Sequence, residues 1–373
     1  MNYQLYFWLF LACAILSYLL TLLVIRLADK WRIYDLPSPR KIHAKPIPRL
    51  GGLAIFGAFL IIILFSVVFR PDLFHFSPWI WWHVIDKRLF GVILGAIVLV
   101  IVGVIDDVKG LNPFTKLFWQ IAAAVMVVIS GVGIDMIRNP FGGPMIALNQ
   151  FQIPIHFYGY IYHFVVIGDL FVIFWIVLMI NIVNFLDGLD GLAAGVSLIA
   201  FLVLFFLSLT PAINQVSTAL LCLIIAGTLA GFLPKNFFPA KIFMGDSGSM
   251  FLGYMIACLA VISGGKVATS LLVLGFPILD GLWVVGRRLI HKKSPFVADK
   301  KHLHHRLLSV GLSQRQVVLI IYAMSAIFGG VALMSQTREK FMALISLIIL
   351  MVFLGLFLIV IEWKKESRES ERK

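Results

Sequence analysis

Residues 170–195 read LFVIFWIVLMINIVNFLDGLDGLAAG. An unbroken apolar run, Leu170 to Ile180, passes into two asparagines three apart, Asn181 and Asn184. Two aspartates three apart follow, Asp187 and Asp190, each with a glycine behind it. The run has the makings of a membrane-spanning helix, and the polar row stands at its margin. Asn and Asp before glycine are also ordinary where a helix ends and turns, so capping alone is one reading. Carboxylates beside hydrocarbon are expensive, ~2.5–3.5 kcal/mol each at mid-bilayer, and are kept mostly for function. The stretch therefore reads as one half of a metal and phosphate site, whose other half should lie elsewhere in the chain.

Outward from this stretch the apolar character continues. The chain is 61% hydrophobic and 13% charged over 373 residues, with a mean hydropathy of +1.00, which excludes a soluble domain. Eleven apolar segments are candidate spans: 4–25, 51–69, 89–105, 115–133, 167–186, 190–210, 217–233, 247–264, 268–286, 316–334 and 341–361. None has the short alternating pattern of a barrel strand. The expected fold is an all-α polytopic membrane protein with about 11 transmembrane helices. It reads as one domain over residues 1–373 that ends in a charged tail, 362–373. The first span has no basic residue before it and no small-residue cleavage pattern after it, so it is expected to stay as an anchor. Cys13, Cys222 and Cys258 are scattered singly within spans and read as packing residues.

A net charge of +13 would suggest a nucleic-acid partner until the basic residues are placed. With the N terminus outside, only Arg70, Lys87, Arg88, Arg138, Lys266, Arg338 and Lys340 fall on the outer side. The other 24 of 31 then lie on the inner side or in the tail. That is the positive-inside distribution, and it orients the chain. No nucleic-acid partner is implied, whereas a basic inner face attracts anionic substrates and head groups.

Several connections carry further signals. The segment before span two is basic and Pro-rich, and ends in PRLGG at 48–52. Arg40, Lys41, His43, Lys45 and Arg49 fit ordinary inner charges, while PRLGG reads as scaffold from which the next helix starts tightly. Trp79, Trp81 and Trp82 suit an interfacial belt. Span three ends in Asp106 and Asp107, and Lys116 opens span four after a Gly and Pro break. The outer segment 134–166 contains the alternating set Phe151, Ile153, Ile155 and Phe157, which predicts a small hairpin or lid lying on the outer surface. In FMGDSGS, 243–249, Asp246 is either a plain N-cap or an anchor where a helix start meets an anion. The last inner connection holds His302, His304, His305 and Arg306. This mixture fits phosphate better than zinc, for which no further ligands stand nearby.

All these acidic and histidine-rich stretches fall at the inner ends of different helices. Asp106, Asp107, Asp187, Asp190 and Asp246 cannot all be ionised close together without a cation between them. Mg2+ is expected, or Mn2+ in its place, completing its shell with water and substrate phosphate. Such a site serves phosphoryl chemistry on a soluble donor, and its membrane setting implies a lipid as the second substrate.

The ordered set DDxxG at 106–110, NxxNxxDGLDGLAAG at 181–195, FMGDSGS and HLHH resembles the polyprenyl-phosphate N-acetylhexosamine-1-phosphate transferases, the family that includes MraY, WecA and TagO. The likeness runs from PRLGG to HLHHRL and covers most of the chain. It implies that Asp106 and Asp107 meet the lipid phosphate, that Lys116 contacts phosphate, and that Asn181, Asn184, Asp187 and Asp190 line the diphosphate. It further implies that Asp246, with Asp107, holds the metal, that Phe243 stacks on uracil with Asn236 nearby, and that His302, His304, His305 and Arg306 lie near the diphosphate or sugar. HLHHRL is similar to the WecA and TagO branch, so UDP-GlcNAc is expected as donor, undecaprenyl phosphate as acceptor and UMP as product. UDP-MurNAc-pentapeptide is the alternative donor. Attack could be direct or pass through an aspartyl-phosphate, and the resemblance allows a homodimer in the bacterial cytoplasmic membrane with its active site facing the cytoplasm. A secondary transporter would also hold intramembrane carboxylates, but near mid-membrane and in repeated halves, which are not seen here. A non-catalytic scaffold would have no use for five acidic residues at the membrane margin.

Overall fold

The computed structural model describes residues 3–37, 45–70, 80–81, 85–139, 141–157, 160–264, 267–290 and 303–370. In chain order the elements are α1 (Tyr3–Trp31), β1 (Tyr34–Asp35), β2 (Ile47–Pro48), α2 (Gly51–Phe69), β3 (Ile80–Trp81), β4 (Ile85–Asp86), α3 (Lys87–Lys109) and α4 (Pro113–Ile129). Then come β5 (Met136–Ile137), β6 (Ile146–Ala147), β7 (Gln152–Phe157), β8 (Tyr160–Val165), α5 (Val166–Leu186), α6 (Leu192–Ser208), α7 (Val216–Asn236) and α8 (Gly245–Ile262). The chain finishes with α9 (Val267–Val273), α10 (Gly275–Ile290), α11 (Leu303–Ser309), α12 (Gln314–Met334) and α13 (Thr337–Ser370). The strands pair only as antiparallel hairpins, β1 with β2, β3 with β4, β5 with β6 and β7 with β8.

This is an all-α, multi-pass membrane protein. Among the described residues eight helices are long and apolar enough to cross a bilayer: α1, α2, α3, α5, α7, α8, α12 and the stretch Thr337–Phe357 of α13. α9 and α10 form a ninth if taken together, although the chain bends by 79° between them. Each of the eleven expected spans coincides with a helix or with this bent pair, but eleven crossings are not established. α4 and α6 have 17 residues apiece, about 26 Å at 1.5 Å per residue, short of the ~30 Å hydrocarbon core. The hairpin expected within 134–166 is present as β7 and β8, with the smaller β5–β6 pair before it. Trp79 and Trp82 lie outside the described residues.

Local chemistry sets where the helices begin. Asp86 accepts from the backbone N–H of Arg88 at 2.8 Å and caps α3. Asn112 accepts from Phe114 N–H at 2.9 Å, and Pro113 follows at the first helical position of α4, where its missing N–H costs nothing. Ser313 and Gln316 form a reciprocal capping box on α12.

α8 is the axis of the bundle, and every residue in it except Asp246 is buried. α2, α3 and α5 pack around it. With no hydrophobic driving force between helices in lipid, close backbone approach through small residues is what holds such contacts. Gly52 lies against Gly248, Gly103 against Ser247, and Gly253 against Met179. The two large polar tips that reach into the bundle beside α8 find backbone partners: the Tyr254 hydroxyl donates to Val92 O at 2.9 Å, and Trp175 Nε1 donates to Ala257 O at 3.3 Å. Cys13, Cys222 and Cys258 are free and buried, as packing residues should be.

A Cβ at Gly103 would stand 2.4 Å from Ser247 Cα, which is backbone that cannot swing aside. Gly103→Leu should therefore lower the thermal unfolding midpoint in detergent, at a cost of about 1–3 kcal/mol or more. Gly330→Leu, at a position with nothing within 4 Å, should leave the midpoint near that of the parent.

Candidate active site

The site forms where α8 begins. Gly51 N–H donates to Phe243 O at 2.9 Å and Gly52 N–H to Met244 O at 2.8 Å, while Phe243 N–H donates to Pro48 O at 2.8 Å. The PRLGG segment is thus the scaffold it was expected to be. Two of the four N–H groups that any helix start leaves orphaned here grip the turn that opens α8. That turn needs glycine at 245, where φ is +74° and a Cβ would meet Asp107 Oδ2 at 2.5 Å.

Asp107, in the last turn of α3, caps α8 from outside. Its Oδ1 accepts from Asp246 N–H at 2.8 Å, and its Oδ2 accepts from Ser247 N–H at 3.1 Å and from the Ser247 hydroxyl at 2.8 Å. A carboxylate at a helix N-terminus meets both orphaned donors and the positive end of the dipole. Asp246 is therefore no N-cap: its helix is capped by Asp107 and its own side chain is left for the cations. Asp246 Oδ2 accepts from Lys116 Nζ at 2.9 Å, and Oδ1 lies 3.3 Å from an Arg49 terminal nitrogen. The same Lys116 reaches Asp106 Oδ2 at 3.0 Å, and the Asp106 Oδ1 accepts from Leu111 N–H at 2.7 Å. Arg49 Nε meets Asp107 Oδ1 at 3.0 Å, and another of its nitrogens lies 3.7 Å from Asp35. The result is one row, Asp106–Lys116–Asp246–Arg49–Asp107, drawn from three helices and a loop. Charge-assisted contacts of this kind are the stronger class of hydrogen bond.

Arg49 was legible only as one basic residue among several, yet it is the cation shared by three carboxylates. Burial works against its charge, but the fields of Asp107, Asp246 and Asp35 more than offset this and hold its pKa above the ordinary value. Its place within PRLGG, two residues before Gly51–Gly52, was the one available signal. Four carboxylates, Asp35, Asp106, Asp107 and Asp246, against two cations leave the row with a formal excess of negative charge. At Asp187 burial, then the field of Asp246, push the carboxyl well above the usual range, with Arg49 opposing.

In front of the row lies a cavity of about 820 Å3, within the ~300–1,000 Å3 of ligand sites. Asn184, Asp187, Asp190, Asn236, Phe243 and Asp246 all line it, together with Arg49, Lys45 and Lys241. Asp187 follows α5 directly, where the helix stops. Asp190 accepts from Ala240 N–H at 2.9 Å and ties the DGLDG turn to the loop before α8. Asn184 donates to Ser249 Oγ at 2.9 Å, which holds α5 to α8. Asn236 donates to Ile242 O at 3.0 Å, while its own Oδ1 is buried without a hydrogen-bond partner.

Other expected residues stand elsewhere. Asn181 does not line the cavity; it donates to Gln120 Oε1 and to Val177 O, both at 2.8 Å, and fastens α5 to α4. His302 lies outside the described residues, and the backbone of His304 and His305 forms part of α11. Arg306 lines a second, mainly apolar cavity of about 330 Å3 with Asp280, Trp283 and Gly355, rather than the first. Among the described residues no three His, Cys, Asp or Glu side chains stand ready as a preformed metal cage. Tyr322, unremarkable in the sequence, donates to Gly191 O and closes on the DGLDG turn from α12.

Fold and site together define a class: a polytopic membrane protein with an acidic, cation-braced cleft at one end of its helices, built to handle phosphate. The family described as glycosyl transferase family 4 matches residues 89–264. A protein of Bacillus subtilis (strain 168), named a probable undecaprenyl-phosphate N-acetylglucosaminyl 1-phosphate transferase, is 32% identical over 347 residues, 90% of this chain and 88% of its own. The decaprenyl-phosphate N-acetylglucosaminephosphotransferase of Mycobacterium leprae (strain TN) is 34% identical over 337 residues, 84% of this chain and 79% of its own. An undecaprenyl-phosphate alpha-N-acetylglucosaminyl 1-phosphate transferase of Thermotoga maritima is 30% identical over 316 residues, 84% and 86% of the two chains. The chain belongs to this family of polyprenyl-phosphate N-acetylhexosamine-1-phosphate transferases, as its ordered motifs implied.

Removing Arg49 leaves Asp107 and Asp246 facing each other with one cation fewer. Arg49→Met should destabilise the protein by about 2–3 kcal/mol, less than the ~3–5 kcal/mol of a fully buried pair because its side chain keeps 31% exposure. Denaturant unfolding in detergent reads this directly. Arg49→Lys should recover only part of the loss, since one ammonium cannot reproduce a fork that bridges two carboxylates.

Proposed function

We propose that this enzyme transfers GlcNAc-1-phosphate from UDP-GlcNAc to undecaprenyl phosphate, giving undecaprenyl-diphospho-GlcNAc and UMP. The observation that carries the reading is the juxtaposition of the Asp106–Lys116–Asp246–Arg49 row with a nucleotide-sized cavity at the helix ends. The relatives' names support the same transferred group and the same acceptor. The distribution of basic residues supports a cleft that opens to the cytoplasm, where the donor is soluble.

The donor diphosphate would lie along Asn184, Asp187 and Asp246, with the base toward Phe243 and Asn236. The orphaned Asn236 Oδ1 suits a base N–H. A formally negative row facing a diphosphate calls for a divalent cation. The donor set fits Mg2+, which takes one or two carboxylates and leaves the rest of its shell to water and phosphate. Asp246 and Asp187 would hold it, braced by Asp107, and it would neutralise charge on the diphosphate. Lys116, between Asp106 and Asp246, orients the lipid phosphate at the membrane margin and offsets charge as the two phosphates approach. An oxygen of the lipid phosphate attacks the β-phosphorus, a new P–O bond forms, and the bond to the bridging oxygen breaks so that this oxygen leaves on UMP. The attacking oxygen is already ionised, so no protein base is needed and direct displacement is the simpler course.

The test uses protein in detergent with undecaprenyl phosphate and Mg2+, scoring UMP from UDP-GlcNAc and, separately, from UDP-MurNAc-pentapeptide. UMP should appear from UDP-GlcNAc alone, vanish in EDTA and return with added Mg2+. Asp246→Asn and Lys116→Met should each lower kcat by roughly 10²-fold or more. UMP from the pentapeptide donor would move the protein to the other branch, and a trapped aspartyl-phosphate would overturn direct displacement.

A further inference from the structure

At the far end of α5 from the catalytic cleft stands a ribbon whose second strand is rooted in the bundle through Phe164 and Val165, while its first strand is exposed. β7 and β8 pair in the register Ile153↔Phe164, Ile155↔Tyr162 and His156↔Ile161. Directly opposed residues share a face, so one face carries Phe151, Ile153, Ile155 and the positions of Tyr162 and Phe164, while Gln152, Pro154, His156 and His163 belong to the other. Phe151, Ile153 and Ile155 are 64%, 53% and 47% exposed. Residues 151–166 contain no Asp, Glu, Lys or Arg. An isolated two-stranded hairpin is marginal in water, and an exposed apolar face on one needs a cover.

We propose that this face lies in the leaflet opposite the catalytic cleft, so that the hairpin is a membrane-surface element with Phe151, Ile153 and Ile155 among the acyl chains. Two observations select lipid over a second copy of the chain. β8 runs into α5 at Val166 without an intervening residue, so the ribbon starts at the end of a span and, at ~3.3 Å per residue, reaches no more than about 20 Å from it. On α5, directly after the ribbon, Ile167, Leu170 and Phe174 form an exposed apolar stripe at helical spacing on a helix long and apolar enough to cross a bilayer, so the ribbon begins beside a surface suited to lipid. Neutral, aromatic-rich segments with a polar reverse face are the type that settles at an interface.

The test places single cysteines at 152, 153, 155 and 156, labels them with an environment-sensitive fluorophore and reconstitutes the protein in nanodiscs. Cys13, Cys222 and Cys258 are buried and should stay unlabelled. Each variant is first checked for a monodisperse elution profile, and all four sites are exposed enough to tolerate the change. Labels at Ile153→Cys and Ile155→Cys should lose most of their emission to doxyl-labelled lipid and little to aqueous iodide. Labels at Gln152→Cys and His156→Cys should show the reverse. Equal iodide quenching at all four would put the ribbon in water, and labels at 153 and 155 shielded from both quenchers would mean that protein covers the face. Either result overturns the proposal.

Discussion

The structure depends on one carboxylate. Asp107 accepts two backbone N–H groups and a hydroxyl at the start of α8 while holding Arg49 on its other flank. Without it, the most buried helix of the bundle would begin with unsatisfied donors at the edge of the cavity. Because Asp107 meets those donors, Asp246 is free to turn toward Lys116 and the cavity. A residue first read as a member of a catalytic pair thus acts as the brace that gives another residue its role.

Close backbone contact is the second part of the design. Gly52 against Gly248 and Gly103 against Ser247 bring α2 and α3 so near α8 that the ends of all three helices share one small space. Side chains as short as aspartate can then bridge between helices. The cations arrive by different routes, Arg49 on a Pro-rich loop and Lys116 one turn into α4, and each is shared between carboxylates. Shared in this way, two cations leave the row short of positive charge, which is the physical ground for the proposed metal.

Much of this was legible in the sequence because the physics was local. Unbroken apolar runs marked the helices, the alternation from Phe151 to Phe157 marked the hairpin, and the polar rows after α3 and α5 marked the cleft. What was not legible depends on partners far along the chain. Asp107 and the N–H of Asp246 stand 139 residues apart, so no local pattern shows that one caps the other. Arg49 was hidden among neighbours of the same charge, all explained by membrane orientation. Asn181 shared its spacing with Asn184, but a helix turns about 100° per residue, and the three-residue step sends one toward α4 and the other toward α8. α4 and α6 read as spans from composition because apolar character shows in the sequence, whereas their 17-residue length as helices is set by where the chain turns.

The long separation between Asp107 and α8 also has a bearing on how the protein is made. Translation at ~5–20 residues per second leaves about 7–28 s between the emergence of Asp107 and that of the amides it will cap. Through that interval the acidic end of α3, and later that of α5, must wait without its final partners. At the helix ends they can wait in water at no great cost, whereas at mid-membrane each would be stranded in hydrocarbon. The placement that suits a soluble donor is thus also one that a ribosome can assemble.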